Sequence, residues 1–456
     1  MKGLKCFLIH APSPMLTLNL PDPQSKPRIV VIGGGFAGLN FVHQLDTTRY
    51  QVVLLDRHNY HTFAPLLYQV ATAGLEAPDI CGPLRKSFRR KHDFHFRMLQ
   101  VHGIDPATRL VHTAAGAIPY DHLVLATGTR ANFFGNQNIQ AHTLPLKTVP
   151  DARRLRNHIF QTLERADLTD DPEERKRLMT FIIVGGGPSG VELAGALSEL
   201  RKHVLAHDYP DTPMDQLRFI LVEGEGELLS SFSDKSSREA YRNLEEMGIE
   251  LKFGMLMTDY DGRVATFKDG TTLSSSTVIW GAGVTGEIIE GLKSDSVLKA
   301  RYVIDDHLRV AGYENVYALG DVALLTNDEW PRGHPGVAQV AIQMGKRLAK
   351  NFNAIARDRP TTAFRYRDKG NLAIIGRNRA VADLPPNLHF SGVPAWFVWA
   401  FVHIFYLIGF RNRLFTFLSW VGNYVTYNRA VRLVLEPTLE EELREGEERF
   451  SVIDRR

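Results

Sequence analysis

Two stretches of this chain share one outline: "RIVVIGGGFAGLNF" at residues 28–41 and "FIIVGGGPSGVELAG" at residues 181–195. Each is an apolar strand that runs into glycines and leaves as a helix. Gly33, Gly35 and Gly38 give G-x-G-x-x-G in the first, and Gly185, Gly187 and Gly190 give it in the second. Glycines at that spacing allow a tight turn, close approach of backbone to a pyrophosphate, and close helix–strand packing. The helix that follows offers free N–H groups and the positive end of its dipole to the phosphates. Phe36 and Ala37 open the first such helix, and Pro188 and Ser189 the second. A glycine triplet alone is weak evidence. Here each is followed by a strand ending in an acid where a ribose-binding carboxylate belongs: "QVVLLD" ends in Asp56, beside Arg57, and "RFILVE" ends in Glu223.

Further strand ends separate the two sites. "HLVLATGT" closes in Ala126, Thr127 and Gly128, and "NVYALGDVA" reaches Gly320 and Asp321. In flavoproteins with two dinucleotide sites, the first pattern closes the flavin domain before the second domain begins. The second returns the chain there and brings an Asp to the ribityl hydroxyls. The order along this chain matches that arrangement, so the first site is expected to hold FAD; Asp56 implies an adenosine ribose, which FMN lacks. The second turn then holds NADH, because Glu223 accepts hydrogen bonds from ribose hydroxyls and repels a 2′-phosphate. "VIWGAGV" echoes the earlier strand end and places Gly281, Ala282 and Gly283 beside the nicotinamide. The expected fold class is α/β: two Rossmann-type dinucleotide-binding domains, the second inserted in the first, plus a C-terminal amphipathic helical membrane-binding region. The expected boundaries are a disordered leader at 1–27, FAD domain at 28–145, NADH domain at 146–300, FAD domain resumed at 301–385, and membrane-binding region at 386–456. In the leader, "CFLIHA" is short for a signal peptide and Met15 is an alternative start.

Composition removes several acceptors for the electrons. The two cysteines, Cys6 and Cys81, form no CxxC. Disulfide reduction, sulfide oxidation and a cysteine-based oxygen or peroxide reaction therefore lack their redox group, and no metal site is expected. A net charge of +3 gives no argument for nucleic acid. The cofactors carry the hydride chemistry and the protein positions them.

Glu192 lies just past the second fingerprint. It is either an acid favouring a helix start, or a carboxylate turned sideways to the flavin–nicotinamide junction to position nicotinamide or relay protons. Further on, Ala338, Gln339 and Gln343 lie on one helical stretch, with the two glutamines four apart and so on one face. The two glutamines are either exposed amides or donors to the carbonyl oxygens of a quinone, and Ala338 is expected to contact the FAD. "VPAWFVWAFVHIFYLIGF" at 393–410 is intensely apolar but short for a spanning helix. After it, Leu414, Phe417, Leu418, Val421 and Val425 line one helical face, flanked by Arg411, Arg413, Arg429 and Arg432. A buried hairpin or a dimer interface would give such a stripe, but the density of Trp and Phe favours a monotopic membrane surface.

On these residues the chain resembles the type II NADH:quinone oxidoreductases, the single-subunit, non-pumping NADH dehydrogenases of respiratory membranes. The likeness runs from Arg28 to about Val434. Besides both fingerprints it rests on "NYHTFAPLLYQVATAGL" (59–75), "AQVAIQ" (338–343), "DKGNLAIIGRNRAV" (368–381) and "YLIGFRNRL" (406–414). The resemblance implies that Asp321 contacts the flavin, that Glu192 faces the nicotinamide–flavin junction, and that Gln339 and Gln343 line the quinone pocket. It also implies a ubiquinone or menaquinone partner, the lipid bilayer surface, a homodimer, and a peripheral place on the cytoplasmic face of the cell inner membrane. Two other readings stand beside it: a soluble NADH-dependent reductase of a protein acceptor such as ferredoxin, and a non-enzymatic NADH-sensing flavoprotein.

Overall fold

The computed structural model describes residues 18–426 and 431–434. They divide into two compact units. The first holds residues 18–59, 84–128 and 286–366; the second holds residues 60–83, 129–285 and 367 onward.

In the first unit the leading glycine turn sits at the centre of a five-stranded parallel sheet. Its strand order is Val316–Ala318, His122–Leu125, Arg28–Ile32, Gln51–Asp56, Phe94–Met98. Parallel strands covered on both faces read as continuous apolar runs rather than alternating ones. Accordingly Ile29, Val30, Val31 and the whole run Val52–Leu55 have no accessible surface. Each such side chain contributes about 1.5–3 kcal/mol by leaving water. Helix Phe36–Gln44 covers one face and is itself covered by helix Ala338–Ile355.

The second unit repeats the plan. Its parallel sheet runs Leu144–Pro145, Thr277–Trp280, Thr180–Val184, Arg218–Glu223, Glu250–Phe253. A three-stranded antiparallel sheet follows, Asn371–Gly376, Arg379–Leu384 and Leu388–Ser391, and then two helices, Gly392–Tyr406 and Phe410–Thr426.

The unit boundaries differ from those expected at residues 145, 300 and 385. Leu144–Pro145 already pairs with Thr277–Trp280, so the second unit starts at Thr129. The first resumes at Gly286, where the Tyr302 hydroxyl accepts from the Ile289 N–H at 2.8 Å. Residues from 367 join the second unit because strand Asn371–Gly376 lies directly on helix Pro188–Leu200. At that contact a Cβ on Gly195 would stand 1.6 Å from the Ile375 carbonyl oxygen, so only glycine fits.

The leader also departs from expectation. Residues 18–27 are not loose: they lie along the first sheet. The Arg97 Nε donates to the Leu18 carbonyl at 2.6 Å, the Arg28 guanidinium to Pro21 at 3.0 Å, and Lys26 pairs with Asp93 at 3.2 Å. Met15 and the stretch before it lie outside the described residues.

Candidate functional site

The two glycine turns are built alike. Gly33 N–H donates to Leu55 at 2.8 Å and Gly185 N–H to Val222 at 2.9 Å, so each turn springs from the end of the neighbouring strand. Both glycines have positive φ, +105° and +110°, and both press on the next strand end. A Cβ on Gly33 would lie 2.2 Å from the Ala126 carbonyl oxygen, and one on Gly185 would lie 2.8 Å from that of Gly281. Thus Ala126–Gly128 closes the first turn and Gly281–Gly283 the second. The acids arrive at matching places. Asp56 accepts from Gly34 N–H at 2.6 Å, and Glu223 accepts from Gly186 N–H. At Gly35 and Gly187, where the helices begin, no atom stands within 4 Å of where a Cβ would be. Each turn is therefore open where a pyrophosphate needs room, at a helix start whose dipole favours an anion. The residues fit a dinucleotide in both places.

Within the first unit, Gly320 and Asp321 form a short 3-10 turn after strand Val316–Ala318. This turn meets both helices: a Cβ at Gly320 would be 3.1 Å from that of Ala341 and 3.4 Å from that of Ala37. Gly345 crosses the other helix more closely still, a Cβ there standing 2.3 Å from the Ala37 carbonyl oxygen. The fold therefore brings Phe36, Ala37, Asp321 and the start of the Ala338–Ile355 helix to one place. Gln339 and Gln343 are half-buried on that helix. Arg57 follows Asp56 at the strand end and is exposed.

In the second unit Glu192 is 7% exposed and lies sideways against strand Asn371–Gly376, with the Ile374 N–H at 3.5 Å. Burial pushes its carboxyl up to about 8, an effect that the Ile374 N–H and the Trp399 indole oppose. The Trp399 N–H acts on this carboxyl from outside hydrogen-bond geometry and is buried without a partner. Buried Glu192, Trp399 and Tyr68 line a cleft of about 840 Å³, counted out to its open mouth, together with Arg377, Trp420 and the exposed Tyr424. Nothing in the glycine pattern pointed to this cleft. A signal was present in the spacing of Glu192, Ala196, Glu199 and His203, which share one helical face.

Cys81 is half-buried, and burial pushes its thiol up to about 11, so little thiolate exists near neutrality.

Of the two tail helices, Phe410–Thr426 is amphipathic with the sense reversed, and Gly392–Tyr406 is apolar on both faces, with Ala395 and Trp399 buried. On Phe410–Thr426 the polar Asn412 and Thr416 face inward; Asn412 donates to the Cys81 carbonyl at 2.7 Å, and Asn423 to that of Gly74 at 3.0 Å. Leu414, Phe417, Leu418, Val421 and Val425 face outward. On Gly392–Tyr406, Phe397, Phe401 and Phe405 form an outward row, each more than half exposed. Arg411 and Arg413 border this surface, over the rings of Phe415 and Phe405; Arg429 lies outside the described residues. Among the described residues no helix is long and apolar enough to cross a membrane.

Two open dinucleotide cradles, one unit inserted in the other, define a pyridine-nucleotide flavoprotein. The family model described as pyridine nucleotide-disulphide oxidoreductase matches residues 27–345, and one described as the NDH2 C-terminal domain matches residues 369–427. The type II NADH:quinone oxidoreductase Ndh of Mycobacterium tuberculosis is 34% identical over 426 residues, 90% of each chain. The mitochondrial external alternative NADH-ubiquinone oxidoreductase of Yarrowia lipolytica is 27% identical over 92% of this chain and 82% of its own. The structure of NDH2 from Plasmodium falciparum in complex with NADH superposes with a TM-score of 0.82 at 21% identity, covering 90% of this chain and all of that one. This chain belongs to the type II NADH:quinone oxidoreductases.

Proposed function

We infer that this chain oxidises NADH and passes two electrons to a membrane quinone without pumping protons. FAD, bound non-covalently, supplies the hydride-accepting and electron-transferring chemistry. The observation that carries the reading is the pair of open cradles, each ending in its own acid, in a chain without a cysteine pair. Gly33, Gly35 and Gly38 would hold the FAD pyrophosphate, Asp56 its adenosine ribose and Asp321 its ribityl hydroxyls. Gly185, Gly187 and Gly190 would hold NADH, with Glu223 on the ribose. Glu192 holds a proton at neutral pH and would position nicotinamide or relay that proton; Gln339 and Gln343 would donate to quinone carbonyls. The outward apolar rows of the tail helices, bordered by arginines, suit the headgroup–acyl boundary of a bilayer and support peripheral attachment. In a bacterium this would be the cytoplasmic face of the inner membrane, with the protein as a homodimer. A soluble reductase of a protein acceptor has no use for such rows.

The test is truncation before Gly392. The purified full chain should release FAD on denaturation, reduce both short- and long-chain quinones (ubiquinone or menaquinone) with NADH, and sediment with vesicles. The truncated, FAD-replete protein should keep NADH oxidation by ferricyanide but lose vesicle binding and long-chain quinone reduction. A truncated protein that still sediments with vesicles would overturn the membrane part of the reading. A full chain that reduces no quinone would overturn the rest.

A further inference from the structure

The reaction inferred above has a proton balance that the cofactors do not close. NADH gives up a hydride, which is two electrons and one proton; a quinone becoming a quinol takes two electrons and two protons. One proton per turnover must come from water. If Glu192 gives it, this buried carboxyl must be reloaded each cycle, and the cleft that it lines is its route to solvent.

That cleft has an ionisable wall. Glu192, Ala196, Glu199 and His203 line it together, spaced four, three and four apart along helix Pro188–Leu200 and the π-turn Arg201–Leu205 that continues it. At 3.6 residues per turn these four fall on one face, and seven residues separate the two carboxyls by about 10 Å along the axis. Burial falls along the row: Glu192 and Ala196 are buried, whereas Glu199 and His203 are half-exposed. Other polar groups of the cleft lining have contacts of their own. The Arg377 N–H donates to a Glu199 carboxyl oxygen, and the Arg377 guanidinium lies 3.8 Å from the centre of the Tyr424 ring. The Tyr68 hydroxyl accepts from the Gln69 amide at 2.8 Å, and the Trp420 indole N–H donates to that Gln69 side chain. At the inner end the Trp399 indole N–H is buried and unpartnered. Behind it His403 stacks at 4.2 Å, its Nδ1–H donating to the Trp399 carbonyl, and burial keeps this imidazole neutral. A buried water needs two to four polar partners; the Trp399 N–H, the two carboxyls and Tyr68 are the polar groups of the cleft lining that could hold a chain of them.

We propose that Glu199 and His203 carry protons along this cleft between solvent and the Glu192 carboxyl, supplying the proton that quinone reduction takes from water. His203 exchanges with bulk water at the mouth, Glu199 is the intermediate station, and ordered water bridges the gap past Ala196. The proposal rests on the NADH:quinone reading and adds two residues to it. Both are positioned away from the reacting atoms and act through Glu192.

The experiment uses the full-length, FAD-loaded protein with Glu199→Gln, His203→Asn and Ala196→Leu. The last fills the gap without removing a titratable group. Stopped-flow reduction of the bound flavin by NADH needs no proton from water and should match the wild type in all three, which also certifies folding. Reoxidation by a short-chain quinone at pH 8 should slow by about tenfold or more, because a proton-transfer group contributes roughly 10²–10⁴. The solvent deuterium isotope effect on that phase should rise. Imidazole or formate in the buffer should restore Glu199→Gln and His203→Asn but not the filled Ala196→Leu. A readout independent of turnover is the infrared band of the protonated Glu192 carboxyl after transfer to heavy water; its exchange should be slower in Ala196→Leu. Wild-type reoxidation and exchange in the variants would overturn the proposal. So would a defect that changes neither isotope effect nor response to small acids, since that is the mark of a structural role. A wild type that is reduced by NADH yet not reoxidised by quinone would instead refute the underlying function, and the infrared comparison would still judge the cleft.

Discussion

The two glycine turns differ little in themselves; what differs is the residue two places beyond the last glycine and the element laid over the helix. In the first unit that residue is Asn40, whose side-chain amide donates to the Phe36 carbonyl at 2.8 Å within its own helix. The helix is covered by another helix, with Gly345 at the crossing. In the second unit the equivalent residue is Glu192, held against a strand through the crossing at Gly195. A duplicated turn thus yields one helix with no titratable group at this place and one with a buried carboxyl. The turn fixes which class of molecule is bound; the covering element decides whether chemistry is added.

The comparison breaks hardest at the glycines. Gly33→Ala and Gly185→Ala introduce the same methyl at nearly the same positive φ, at an overpacking cost of about 1–3 kcal/mol apart from the backbone strain. The expected losses nevertheless diverge. Gly33→Ala should purify without flavin. Gly185→Ala should melt several degrees below the wild type, as that cost requires, yet remain yellow and fail to be bleached by NADH. Flavin loss from both variants would mean that the turns are not independent cradles.

The pH dependence of stability sharpens the comparison next. An unfolded chain releases the Glu192 proton near the ordinary 4.5, and the folded chain near 8. Between those values the folded state holds one more proton than the unfolded, so raising the pH favours unfolding. The contribution is complete below about 4.5, declines by roughly 1.4 kcal/mol per pH unit, and is gone above about 8. Glu192→Gln carries no such proton. Its melting temperature relative to the wild type should therefore rise steadily from pH 5 to 8 and then level off, whereas Asn40→Gln should show no pH-dependent difference. A flat difference for Glu192→Gln would place the carboxyl in water.

The acids give the smallest effect. Removing a charged hydrogen-bond partner costs about 1.5–3 kcal/mol, so Glu223→Ala should weaken NADH and narrow the preference over NADPH by roughly ten- to a hundredfold. Asp56→Ala should loosen FAD and leave that preference unchanged. Ratios of kcat/KM for the two nucleotides, measured at equal flavin content, decide this.

Both cradles were legible because their chemistry is local: glycine spacing, a strand on each side and an acid at the strand end lie within short stretches of chain. The reversed helix was legible too, from the spacing of Leu414, Phe417, Leu418 and Val421. What sequence left hidden depends on partners far along the chain. Residues 18–27 read as loose because their anchors, Arg97 and Asp93, come some seventy residues later. The compact units divide elsewhere than at residue 145 because a two-residue strand, Leu144–Pro145, has no periodicity to announce which sheet it joins. The sequence offered Glu192 as a helix-start acid or as a carboxylate turned to the flavin–nicotinamide junction, and neither reading pointed to its neighbours Ile374 and Trp399. They come from the tail, which the apolar pattern marked only as a surface.

The reversed tail helices also carry a thermodynamic consequence. A helix that keeps Thr416 and Asn412 inside and Phe417 and Leu418 outside draws little of its stability from the protein's own interior. In water its outer row is a loss; against lipid it is a gain. Bilayer binding, as proposed, would then act as mass action on folding, stabilising the tail as lipid concentration rises above the dissociation constant. On the proposed attachment, lipid would count as a component of the native state, and the helix that carries Trp420 and Tyr424 to the Glu192 cleft would share that gain.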